Sequence, residues 1–197
     1  MITSSEVGQS LRRIVGLIFR PTEEWDAITE ETTTVGALLR FYVLPLALLT
    51  PIATMIGMTT FDRGWDPVHG YLVPTDRILA IGVTTYFAII GSVLVLAAIF
   101  ALIAPMYGAA RDFRAALMVA TYGAIPLLLA GATMLLPIMA VVGVVGLCHT
   151  LYLLWLGAQR LLHVPEGSCA EFIGISLVLL TAVSVLAGAG VSAIGLP

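Results

Sequence analysis

Lysine and asparagine are absent from this chain of 197 residues, cysteine occurs twice, and only 11% of the residues are charged. Each scarcity excludes something. Cys148 and Cys169 cannot form the disulfide framework that staples small secreted domains. An ordinary soluble domain is about 25% charged, so this chain lacks the polar side chains needed to cover a globular surface. Nine arginines against twelve acids leave a net charge of −3. Nucleic acid needs a basic face and is not an expected partner.

What is present is apolar text: 59% of the residues are hydrophobic and the mean hydropathy is +1.04. The chain reads as an all-α, polytopic transmembrane helix bundle whose solvent is the bilayer. A span needs about 20 mostly apolar residues, and the charged interruptions place five of them at about 35–58, 78–104, 115–136, 137–157 and 172–194. The last interruption-free stretch before Arg160 is too long for one helix and divides near Pro137, where proline can open a helix at low cost. Residues 1–34 are then an amphipathic N-terminal segment and 35–197 the membrane domain.

Arginine placement orients the bundle. Arg12, Arg13, Arg20, Arg40, Arg111, Arg114 and Arg160 fall on one side, and only Arg63 and Arg77 on the other. Seven against two puts the N-terminus in the cytoplasm and the C-terminus outside.

Ahead of the first span, Val7, Leu11, Ile14, Val15 and Ile18 recur at helical spacing, with Gln9, Arg12 and Arg13 on other faces. A helix lying at the interface is expected. The apolar stretch 14–19 is short and has no small-residue cleavage site, so it is expected to be retained. Arg20-Pro21 ends the helix. Thr22 is the expected cap of a second helix carrying Glu23, Glu24 and Asp26 at its start, with Trp25 and Ile28 on one face. Arg12, Arg13, Arg20, Trp25, Arg111, Arg114 and Arg160 are candidates for contact with lipid headgroups or a docked partner.

His149 is the one ionisable residue deep inside a predicted span. Matching its depth on the other spans gives Thr50, Ser92, Pro126 and Thr181, with Tyr122 one turn from Pro126, as a candidate mid-membrane polar layer. Two readings of His149 stand open: a proton relay or ligand site, and a neutral ring hydrogen-bonded to a carbonyl freed by a proline, such as the one opposite Pro126. In the first loop, Asp62, Asp66, His69 and Asp76 alternate with Phe61, Trp65 and Tyr71. Aromatic anchoring at the headgroups explains this loop more simply than a metal site. Ser184, Gly188 and Ser192 form a candidate helix-packing face on the last span. No nucleophile triad, phosphate loop, paired carboxylates or metal-ligand spacing is present, so neither catalytic residues, metal nor cofactor is expected.

Three stretches carry a resemblance. Arg20-Pro21-Thr22-Glu23-Glu24-Trp25-Asp26-Ala27-Ile28 resembles the P-x-x-x-W-x-x-I motif before the first span of bacterial Yip-domain proteins. Tyr122-Gly123-Ala124-Ile125-Pro126-Leu127 resembles the tyrosine-to-proline motif of the wider Ypt/Rab-interacting membrane proteins. Leu151-Tyr152-Leu153-Leu154-Trp155-Leu156-Gly157, with Arg160 and Val164-Pro165-Glu166, resembles the fourth span and its exit in the bacterial branch. The similarity runs from about 14 to 193. It implies five spans, a cytoplasmic N-terminus and residence in a bacterial cytoplasmic (inner) membrane. The eukaryotic association with Rab-type GTPases goes with a longer N-terminal region and is not carried over. The expected function is a non-enzymatic scaffold or accessory protein, acting on other membrane proteins, on itself or on lipid organisation. The alternative is a small permease or channel using the layer around His149.

Overall fold

The computed structural model describes residues 4–60, 65–66, 71–135 and 140–193, with side chains described for 8–60, 73–135 and 141–189. Two short helices come first, α1 (Ser4–Phe19) and α2 (Pro21–Thr29). Five helices long and apolar enough to cross a membrane follow: α3 (Val35–Thr60), α4 (Thr75–Tyr107), α5 (Phe113–Leu135), α6 (Ala140–Arg160) and α7 (Glu166–Ala193). A two-residue antiparallel pairing, β1 (Trp65–Asp66) with β2 (Tyr71–Leu72), sits in the connection between α3 and α4. Phe61, Asp62, His69, the side chains of Trp65, Asp66 and Tyr71, the turn at Pro137 and the side chain of Ser192 lie outside the described residues.

Charges mark where lipid ends, and the helices run past them. Asp76 and Arg77 belong to the first turn of α4, with the acid at the favourable end of the dipole. Asp112 caps α5, accepting from the backbone N–H of Arg114 at 2.8 Å and of Ala115 at 3.2 Å. At the start of α7, Phe172 stacks on Phe100 with ring centroids 5.1 Å apart, and Tyr107 meets it edge-on at 5.5 Å. The expected cap Thr22 is not used. Pro21 opens α2 from an N-cap at Arg20 that makes no side-chain bond, because the fixed φ of proline suits the first helical position and its missing N–H costs nothing there.

α3 is a succession of pieces. A π-turn over Leu39–Val43 precedes Pro45, and α-helix resumes over Leu49–Thr60 around Pro51. Each proline removes a donor from the helical ladder, and the wide turn absorbs the mismatch.

α5 is the hub, packed against α6, α4 and α3, with 72% of its apolar window buried against 17% for α7. Helices in lipid gain little from hydrophobicity against one another, so close approach of backbones matters more. Glycine supplies it: a Cβ on Gly123 would overlap the Leu154 side chain, and one on Gly146 would lie 3.0 Å from the Pro126 carbonyl oxygen.

Candidate functional site

α1 and α2 fold back on each other and dock on the bundle. Gly16 lets the two helices touch, since a Cβ there would overlap the Glu24 carboxylate. Arg13 of α1 holds Glu24 of α2 at 3.3 Å and also pairs with Glu31. Arg160 Nε donates to Asp26 Oδ1 at 2.6 Å, and Arg114 Nε donates to the Thr33 carbonyl at 2.7 Å. Three of the arginines expected to meet headgroups or partners, Arg13, Arg114 and Arg160, are therefore turned onto the protein itself. Arg12, Arg20 and Arg111 are exposed.

The expected apolar face of α1 is divided. Leu17 is fully buried and Ile14 packs against the core, whereas Leu11, Val15 and Phe19 are exposed. Trp25, expected as a surface contact, is completely buried together with Ile28. Its ring meets Tyr122 edge-on at 6.1 Å, and Tyr122 meets Tyr42 edge-on at 5.1 Å. Behind it stands Gly157, where a Cβ would lie 2.6 Å from Trp25 Cη2. The tryptophan before the first span, the tyrosine of α5 and the glycine near the end of α6 thus meet at one junction.

His149 belongs to the same docking. In an α-helix the Leu17 carbonyl would accept from the backbone N–H of residue 21, but that residue is Pro21 and has none. His149 Nε2 lies 3.2 Å from this oxygen. A carbonyl only accepts, so Nε2 carries the proton. The freed carbonyl is that of the N-terminal helix, not the one opposite Pro126. Near Pro126 the interhelical bond is made by Thr150, whose hydroxyl accepts from the Leu127 N–H at 3.1 Å. His149→Phe keeps a ring but leaves the Leu17 oxygen without its donor. It is expected to cost about 1–3 kcal/mol, read as a lower unfolding temperature in detergent, and an unchanged melt would refute this role.

The remaining members of the expected polar layer go elsewhere. Thr50 and Ser92 line an apolar cavity of about 430 Å3 among the spans, with Thr133, Thr150 and Leu128. Thr181 is exposed on α7 and its hydroxyl donates to the Leu177 carbonyl at 2.8 Å. Tyr122 instead floors a separate polar pocket of about 590 Å3 beneath the hairpin, lined also by Arg12, Arg13, Glu24, Glu31 and Tyr42. The six residues expected to form one polar layer do not share a site. Ser184 and Gly188 are exposed among the described residues. Among the described residues, no three of His, Cys, Asp and Glu converge as a metal site would require.

The junction ties together the sequence stretches that carry the resemblance, and the comparison with known families agrees with it. Residues 15–188 match the Yip1 domain. The chain belongs to the Yip1-domain family. This Yip1-domain chain is also 28% identical, over 174 residues, to the inner membrane protein YohC of Escherichia coli strain K12, an alignment covering 86% of the chain and 88% of that relative. The YohC of Escherichia coli O6:H1 strain CFT073 matches equally. No solved structure matches.

The Yip1-domain junction and the α5–α6 contact contain residues that spacing alone does not single out. Gly146, Gly157 and Thr150 are needed because other helices approach them, and nothing in the text of α6 names those neighbours. Pro21 carried a readable signal: a proline four residues after Leu17 frees a carbonyl that some donor must meet.

Proposed function

We propose that this chain is a non-enzymatic accessory protein of a bacterial inner membrane that works by presenting a helix face to other membrane proteins. The observation that carries this reading is the far half of α7. Every residue from 181 to 189 is exposed, a length of about 13 Å at 1.5 Å per residue. Small residues at four-residue spacing, Ser184 and Gly188, stand on it, and such spacing lets a second helix approach closely. The surplus of arginine on the side of the N-terminal hairpin supports a cytoplasmic N-terminus. The name of the similar inner membrane protein supports the location.

The test is crosslinking in intact membranes. In a Cys148→Ser background, Ser184→Cys is expected to form an adduct with a defined protein, or with a second copy of the chain, far more efficiently than Leu102→Cys on the exposed side of α4. Equal labelling of the two positions would sink the reading. Solute or proton flux through vesicles holding the purified chain alone, abolished by His149→Ala, would establish the permease alternative instead.

A further inference from the structure

We propose that the polar pocket beneath the N-terminal hairpin, with the apolar groove that continues from it, binds the phosphate headgroup and one acyl chain of a membrane glycerophospholipid. The pocket, of about 590 Å3, is within the range of small-ligand sites. Beside it runs a groove of about 260 Å3 between α1 and α3, walled by Leu11, Ile14, Pro45, Leu46 and Leu49. Ser10 and Phe41 line both, so the polar and apolar compartments adjoin. That is the outline of an amphiphile. A free phosphate would leave the groove without an occupant, and a protein helix would leave the polar compartment without one.

The charges favour a phosphate. Arg13 is shared between Glu24 and Glu31, which accounts for both acids of the lining. Among the described residues no acid lies within ion-pairing distance of Arg12 or of Arg40 on the groove. The cationic lining thus exceeds the anionic. Arg13 Nη1 is buried and has no hydrogen-bond acceptor, because its approach to Glu24 at 3.3 Å lacks hydrogen-bond geometry. An unsatisfied buried donor on a charged group is costly, and a phosphate oxygen supplies the acceptor that guanidinium recognises best. Tyr42 and Tyr122 at the floor add hydroxyl groups. None of this depends on what covers α7.

The experiment uses the full chain, stripped of lipid in detergent and examined by native mass spectrometry. Three probes are offered: dioleoylphosphatidylglycerol, dioleoylglycerol without phosphate, and soluble glycerol phosphate. One phosphatidylglycerol is expected to remain bound and dioleoylglycerol to be lost. The double variant Arg12→Gln, Arg40→Gln removes two exposed charges outside the core and is expected to weaken retention about tenfold. Ala37→Phe, which fills the pocket without changing charge, is expected to do the same. Retention of dioleoylglycerol equal to that of the phospholipid, or wild-type retention by both variants, would overturn the proposal. Displacement of the phospholipid by equimolar glycerol phosphate would overturn it too, by showing a site for a soluble phosphate ester.

Discussion

Trp25→Ala is expected to release the N-terminal hairpin from the bundle. The ring is fully buried between Tyr122 and Gly157, and truncating a buried tryptophan costs about 3–5 kcal/mol through lost contacts and the cavity left behind. The polar ties are weaker. Asp26 is 64% exposed in its pair with Arg160, so that pair contributes about 0–1 kcal/mol. Burial of Trp25, Leu17 and Ile28 therefore holds the hairpin, and the arginines set its register. A marked drop in unfolding temperature is expected, together with rapid proteolysis within residues 8–34. If the variant melts like the parent and stays protected, the hairpin is held by something else.

Gly146→Leu is expected to prevent α5 and α6 from packing. A Cβ at 146 would lie 2.7 Å from Ala130 Cβ and 3.0 Å from the Pro126 carbonyl oxygen. The oxygen is backbone and cannot swing aside as a side-chain tip would. Overpacking of this kind costs about 1–3 kcal/mol, and leucine adds three carbons beyond the Cβ. Gly143→Leu is the control, since the nearest atom to a Cβ there is Thr133 Oγ1 at 4.0 Å. The first variant is expected to lower both folded yield and unfolding temperature, and the second to leave them near the parent. Equal behaviour of the two would remove the close approach as the explanation.

The amino-acid sequence locates the helices because the bilayer is a simple judge. A charge in hydrocarbon is expensive wherever its neighbours come from, so Arg114, Arg160 and the acidic first loop bound the spans without knowledge of packing. The helices extend beyond the apolar runs, with Asp112 capping α5 and Glu166 opening α7. Depth counted along the sequence is a weaker guide. Thr50, Ser92, Tyr122, His149 and Thr181 are matched only by counting residues from the charged loops, and such a count leaves each helix free to rotate about its own axis. The structure turns His149 toward Leu17, Tyr122 toward Trp25 and Thr181 outward.

Periodicity likewise marked α1 as amphipathic but did not say which half of its apolar face the bundle would take. Ile14 and Leu17 go inward and Leu11 and Val15 stay out because Gly16 and Arg13 fix the contact with α2. Composition and charge placement by themselves determined the membrane as solvent, the all-helical class and the count of five spans, because these follow from what each residue does with water or lipid alone. Helix rotation, the docking of the hairpin, the donor for the Leu17 carbonyl and the adjoining polar and apolar pockets were decided by tertiary structure. They depend on which groups meet across 81 to 134 residues of chain, and such meetings are set by steric fit between surfaces that no single segment contains.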